Sequence, residues 1–182
     1  YCIRQILQKP AIGLFLDMGL GKTAITLTAV NELKYGRFLV RRVLVIAPKK
    51  VAEATWQREA RKWDNLKHLR FSTVLGGETK RIRALNTPAD VYVINRENVV
   101  WLVTYYQNDW PFDMVVCDEF SSFKSHSAKR FKALAAIRPH IRRIVGLTGT
   151  PSPNGLMDLW SQVYLLDRGE RLGRYYTHFR ER

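Results

Sequence analysis

Six short runs, most of them apolar at every position, restrict the fold more than any other feature of the chain. They are Ala11 to Leu16, Val43 to Ala47, Phe71 to Leu75, Val91 to Ile94, Met114 to Cys117 and Arg143 to Leu147. A strand covered on one face alternates apolar and polar residues, whereas a strand covered on both faces has no reason to alternate. Helix-like segments lie between and after these runs, at about 22–34, 51–63, 78–86, 126–137 and 155–166. Strands that alternate with helices imply an α/β architecture: a mostly parallel central sheet with crossover helices on both faces. Gly76-Gly77, Thr87-Pro88 and Trp110-Pro111 read as turns. No run approaches the roughly 20 apolar residues of a membrane-spanning helix. Two cysteines, Cys2 and Cys117, make neither a disulfide framework nor a zinc site, so a reducing, intracellular setting is expected. Cys117 lies within an apolar run and reads as a small core residue. The four histidines show no metal-ligand spacing.

The first apolar run leads directly into Asp17-Met18-Gly19-Leu20-Gly21-Lys22-Thr23 and then into a helical segment. Glycines at 19 and 21 permit backbone angles that other residues resist and allow close approach to a ligand. Successive backbone N–H groups and the N-terminus of the following helix would then face an anion. Lys22 is positioned to reach β- and γ-phosphates, and the Thr23 hydroxyl to complete a Mg²⁺ site. The strict pattern GxxxxGK[ST] wants a glycine at position 16, where the chain has Leu16. Seen alone, this loop could also be a tight strand–helix connection carrying Gly-Lys-Thr by chance.

The fifth run delivers Asp118 and Glu119 at its end. Ligands of open α/β sheets bind at the carboxyl ends of the strands. Asp118 is therefore a candidate for holding Mg²⁺, and Glu119 for polarising an attacking water. A simple loop cap is the plainer alternative for the pair in isolation.

Charge bears on the partner. Thirty Lys and Arg oppose sixteen Asp and Glu, a net +14. Residues 41–90 carry twelve basic and five acidic side chains, residues 121–145 seven and none, and residues 91–120 one and five. Two basic blocks thus flank the acidic stretch that holds Asp118 and Glu119. Such an excess favours a polyanionic partner, most often nucleic acid.

A third site is Leu147-Thr148-Gly149-Thr150-Pro151, followed by Asn154 and Asp158-Leu159-Trp160-Ser161. Together with Asp17 to Thr23 it resembles the first RecA-like lobe of superfamily-two helicases, and more narrowly the Swi/Snf-type DNA-dependent ATPases. Val45 to Lys50, with Trp56, Glu59 and Trp63 after it, is similar to that family's motif Ia and its Trp…Glu…Trp helix. Val93 to Glu97 stands where motif Ib does, and Lys124 matches the lysine six residues beyond the first acid of the family's Asp-Glu-Ala-His box. The likeness covers about residues 11–166. The short spacing between motifs resembles prokaryotic or phage members.

The resemblance implies a P-loop NTPase fold and an ATP hydrolase that uses ATP and Mg²⁺ to move along double-stranded DNA without regard to sequence. It implies that Gly19, Leu20, Gly21, Lys22 and Thr23 hold the nucleotide, that Thr23 and Asp118 hold the metal, and that Lys22, Asp118 and Glu119 are catalytic. It further implies that Ser121, Thr148, Gly149 and Thr150 couple the nucleotide to the DNA groove, and that Lys49, Lys50, Arg96 and Lys124 contact phosphates. A second RecA-like lobe is expected beyond these 182 residues, as is the adenine-reading element, for which Gln5 is a poor substitute. Residues 1–182 by themselves are expected to be weakly active or inactive. The setting implied is intracellular, and cytoplasmic for a prokaryotic or phage protein, with no membrane.

The chain departs from the family where Asp118-Glu119-Phe120-Ser121 replaces Asp-Glu-Ala-His. Ser121 can still hydrogen-bond, but it cannot carry a histidine's charge. Two other classes fit parts of the sequence: a P-loop NTPase that does not act on nucleic acid, and an isolated lobe that grips nucleic acid without significant hydrolysis. The third motif and the charge weigh against the first. Among other residues, Trp56, Trp63, Trp101, Trp110 and Trp160 read as core, and Arg142 and Arg143 as solvent-facing.

Overall fold

The computed structural model describes residues 2–15, 21–119 and 129–148. Six strands form one sheet: β1 (Ala11–Phe15), β2 (Val43–Ala47), β3 (Phe71–Val74), β4 (Val91–Asn95), β5 (Met114–Asp118) and β6 (Arg143–Thr148). Their order across the sheet is β1-β6-β5-β2-β4-β3, and every pair is parallel. All six carboxyl ends therefore face the same edge.

Both faces are covered, which is why the runs are uniformly apolar. On one face Val43, Val45, Ala47, Val116 and Val145 pack beneath α1 (Cys2–Gln8), α2 (Lys22–Asn31) and α3 (Trp56–Arg61), through Ile6, Leu27, Val30, Trp56 and Ala60. On the other, Leu44, Ile46, Ile94, Val115 and Ile144 pack beneath α4 (Glu78–Leu85), α5 (Val99–Tyr106) and α6 (Lys129–Ile137), through Leu85, Leu102, Phe131 and Leu134. Successive side chains of a strand point to opposite faces, so each central strand serves both cores. Burying one such Val, Leu or Ile contributes roughly 1.5–3 kcal/mol. Edge strand β3 alternates instead, with Ser72 and Val74 buried and Phe71 and Thr73 only half-buried. Cys117 is buried in a core, and burial pushes its thiol up to about 12, so it is an inert apolar filler. Among the described residues no helix is long and apolar enough to cross a membrane.

Several expectations need correction. The helix expected at 22–34 closes as a wider π-type turn over Glu32–Gly36, and the one at 51–63 opens with another over Val51–Thr55. The helix expected at 155–166 lies outside the described residues, as does Trp160. Two helices, α1 and α5, were not anticipated. The α5 run Val-Val-Trp-Leu-Val-Thr-Tyr-Tyr is rich in β-branched and aromatic residues and has strand propensity. It folds as a helix because Val99 and Leu102 then reach the core together, while Trp101 and Tyr105 stack at 5.2 Å. Trp110 is buried and Trp101 packs half-buried against the core, but Trp63 is 48% exposed and donates its indole N–H to Glu59. Arg143 does not simply face solvent: its guanidinium donates to the carbonyls of Ile6 and Leu7, each at 3.2 Å, capping the end of α1.

One buried carboxylate holds the amino-terminal side of the sheet together. Asp90 is fully buried just before β4. It accepts hydrogen bonds from the Arg70 backbone N–H at 2.7 Å and from the Tyr35 hydroxyl, with Lys34 Nζ at 3.2 Å. Burial alone would favour the neutral acid, but these donors outweigh it and hold the carboxyl below its ordinary value. Asp90→Asn is expected to lower stability by about 2 kcal/mol at neutral pH. A depressed folded-state value means that the stabilisation is complete above the unfolded value of 3.8 and is lost as pH falls through the folded one. Denaturant titrations of the two proteins should therefore differ by a constant amount at neutral pH, begin to approach one another below about pH 4, and meet only below the depressed folded value.

Candidate active site

The carboxyl edge of the sheet carries those charged candidates from the sequence that lie among the described residues: Lys22, Lys49, Lys50, Arg96, Asp118 and Glu119. Gly21, the residue before α2, sits at φ 67° and ψ 34°. An added Cβ would meet nothing within 4 Å, so the left-handed backbone, not crowding, is what favours glycine there. Among the described residues no side chain caps the start of α2, which leaves first-turn N–H groups available to an anion. Gly19 and Leu20 lie outside the described residues.

Lys22 and Thr23 are the first two residues of α2. Thr26 and Thr28 return their hydroxyls to the Lys22 and Ala24 carbonyls, each at 2.7 Å. The Thr23 hydroxyl, by contrast, has no hydrogen-bond partner among the described residues, although Thr23 is buried. An uncommitted hydroxyl at this position suits a metal ligand.

Lys22 spans from α2 to the end of β5. Its Nζ lies 2.8 Å from Asp118 Oδ1 and 3.2 Å from Glu119 Oε1. Burial works against the ammonium charge, yet the hydrogen bonds and charges of the two carboxylates outweigh it and hold Lys22 above the usual lysine value. Asp118 is the last residue of β5 and is 2% exposed. Its second oxygen, Oδ2, accepts the indole N–H of Trp56 at 3.1 Å. Glu119 follows at φ 56°, in the left-handed region that non-glycine residues avoid, and its carboxylate is about one-third exposed. Backbone strain of this kind, ~1–3 kcal/mol, gathers at functional sites. The Glu119 carboxylate stands open beside the buried one of Asp118.

The remaining candidates divide. Lys49 and Lys50 are exposed and begin the helical run after β2, the strand next to β5. Arg96 follows β4, the next strand out; it is less than one-third exposed, with Nε 3.6 Å from Glu97 Oε1. That carboxylate also accepts from Asn95 Nδ2 at 3.0 Å, so Arg96 is less available for a phosphate than the two lysines. Thr148 ends β6 opposite Phe15 of β1. Ser121, Lys124, Gly149 and Thr150 lie outside the described residues, as does the side chain of Thr148. The edge thus joins Lys22, Asp118 and Glu119 in one contact cluster, while Lys49, Lys50 and Arg96 flank it without touching it.

Sequence reasoning missed the contact between Trp56 and Asp118. The apolar spacing of Trp56 correctly marked it as core, and it is fully buried. Nothing local announced that its N–H would meet a carboxylate 62 positions later.

The donor set fits a nucleoside triphosphate with a divalent cation: an ammonium, uncapped helix N–H groups, a free hydroxyl and a buried carboxylate converge at one strand edge. A family model described as the SNF2-related domain matches residues 6–177. The chain is 44% identical over 186 aligned residues to protein p41 of Acyrthosiphon pisum secondary endosymbiont phage 1, covering 99% of this chain and 40% of that protein. It is 33% identical over 175 residues to the DNA excision repair protein ERCC-6-like of Mus musculus, covering 88% and 13% of the two. The solved SWI2/SNF2 ATPase core of Sulfolobus solfataricus in complex with dsDNA is similar at a TM-score of 0.75 and 25% identity, over 99% of this chain and 36% of that one. The chain thus spans 40% or less of the length of each of these proteins.

Proposed function

Because this chain belongs to the SNF2-related domain family, we propose that it is the ATP-binding RecA-like lobe of a motor that hydrolyses ATP to move along duplex DNA. The observation that carries this reading is the Lys22–Asp118–Glu119 cluster at the carboxyl edge, next to the strand ends bearing Lys49, Lys50 and Arg96. The net charge of +14 and the DNA-bound relative support nucleic acid as partner over a small molecule.

In this reading Lys22 is held ready by the two carboxylates and turns from them to the β- and γ-phosphates of ATP. The N–H groups of the 19–23 loop and of the α2 start bind the same phosphates. The Thr23 hydroxyl and the Asp118 carboxylate would hold Mg²⁺, which when bound neutralises charge on the phosphates. Glu119 orients the attacking water and accepts its proton. Ser121, Thr148, Gly149 and Thr150 pass the state of the γ-phosphate to the DNA groove, and Lys124 joins the phosphate contacts. A second lobe, outside this chain, closes the site. Residues 1–182 alone are accordingly slow.

Grip on DNA is through phosphates and so is independent of sequence. Replacing both Lys49 and Lys50 with Ala should weaken duplex binding equally for unrelated sequences. It should also make the dependence of log affinity on log salt shallower by about two. An unchanged salt slope would remove these lysines from the interface. Motion itself is tested by displacement of a third strand from a triplex by the full-length protein. The expected result is ATP-dependent release of the third strand with the duplex left paired. No release under conditions where ATP is hydrolysed would contradict translocation.

A further inference from the structure

We infer that Trp56 is a positioning residue for Asp118, and that it ties this carboxylate to the basic turn following β2. The inference rests on the reading of Asp118 as the metal-holding carboxylate. Asp118 has two oxygens and, among the described residues, two side-chain partners: Lys22 Nζ on Oδ1 at 2.8 Å and Trp56 Nε1 on Oδ2 at 3.1 Å. When Lys22 turns to a phosphate, Oδ1 is released and, among the described residues, the indole N–H is the side-chain donor that still orients the carboxylate. An indole nitrogen is a donor only, so it cannot reverse its role as the site fills. Trp56 is also fully buried, in the core that contains Leu27 and Val30 of α2, so its ring has no room to follow a carboxylate that swings away.

The position of Trp56 in the chain supplies the second half of the argument. Lys49 and Lys50 open a helical run that continues without a break through the π-type turn Val51–Thr55 into α3, where Trp56 is the first residue. Wide turns of this type inside helices recur at functional sites. A phosphate held by the two lysines therefore pulls on the same short helical segment that fixes the indole. Close-packed interiors pass such displacements on instead of absorbing them.

The plain alternative is a core tryptophan that satisfies its N–H on the nearest oxygen. Two substitutions in the full-length protein separate the readings. Trp56→Phe removes the N–H and some volume, while replacing Trp56 with benzothienylalanine removes the N–H and keeps the bicyclic shape. The readout is binding of fluorescent mant-ADP as Mg²⁺ is titrated, with thermal unfolding in EDTA as a check on folding. The inference predicts that both variants need roughly ten-fold more Mg²⁺ for half-saturation, and that the benzothienyl protein unfolds in EDTA like the wild type. It further predicts that duplex DNA shifts the Trp56 indole ¹⁵N–¹H resonance in the wild type, and shifts it much less when Lys49 and Lys50 are both Ala. Unchanged Mg²⁺ dependence in the benzothienyl protein overturns the positioning role alone. A resonance indifferent to DNA overturns the tie to the basic turn. Nucleotide binding that is independent of Mg²⁺ in the wild type overturns the assignment of Asp118, and this inference with it.

Discussion

Glu119→Gln in the full-length protein is expected to lower ATP turnover by roughly 10²–10⁴-fold while nucleotide still binds. Glutamine keeps the shape of the side chain and can still hydrogen-bond a water, but it cannot accept the water's proton. The substitution leaves the Lys22–Asp118 contact at 2.8 Å in place, so phosphate and metal binding should survive. Glu119 is the more exposed of the two carboxylates, at 32% against 2% for Asp118, as a residue facing substrate water should be. Equilibrium binding of mant-ATP, measured beside turnover, separates the two functions. Turnover within a few-fold of the wild type would remove Glu119 from the chemistry.

Lys22→Ala is expected to abolish hydrolysis by weakening nucleotide binding itself. In the proposed site the Lys22 ammonium reaches the β- and γ-phosphates, and alanine removes that contact while leaving the backbone N–H groups. The nucleotide-free protein should also lose stability, by about 1–3 kcal/mol, because Asp118 stays buried without its ion-pair partner. The carboxylates hold the Lys22 value above 10.5, so its stabilisation is complete below pH 10.5 and is lost only as pH rises through the higher folded value. The stability gap between wild type and variant should therefore be flat across neutral pH and close only in strong alkali. Denaturant titration gives the gap, and isothermal titration with ATP and Mg²⁺ gives the binding loss. Full affinity in the variant would contradict the role of the lysine.

Much of this edge was legible in the sequence because each feature is local. Uniform apolar runs record strands covered on both faces, and β2, β4 and β5 fall where those runs stand. The start of α2 follows from Gly21-Lys22-Thr23. The carboxylates at 118 and 119 mark the end of a buried strand because such a strand has no other use for charge. What stayed hidden depends on strand order. The sheet runs β1-β6-β5-β2-β4-β3, so β1 lies two strands from β5, and only the fold brings Lys22 to Asp118 across 96 positions. The Trp56 contact is hidden for the same reason. Helix α5 was hidden because packing against the core overrides the strand propensity of its residues, and Arg143 looked solvent-facing because its partners are carbonyls of a helix that sequence reasoning did not anticipate. Trp63 was misread because seven-residue spacing from Trp56 does not hold one face when the α-helix itself ends at Arg61.

The central claim is that this sheet edge is a nucleotide site whose turnover is governed by DNA held at the neighbouring strand ends. Steady-state ATP hydrolysis by the full-length protein, with and without saturating duplex DNA at low salt, tests it most directly. The account predicts at least a ten-fold rise with DNA, which fades as salt strips the phosphate contacts. A rate equal with and without DNA, under conditions where DNA is bound, would contradict it.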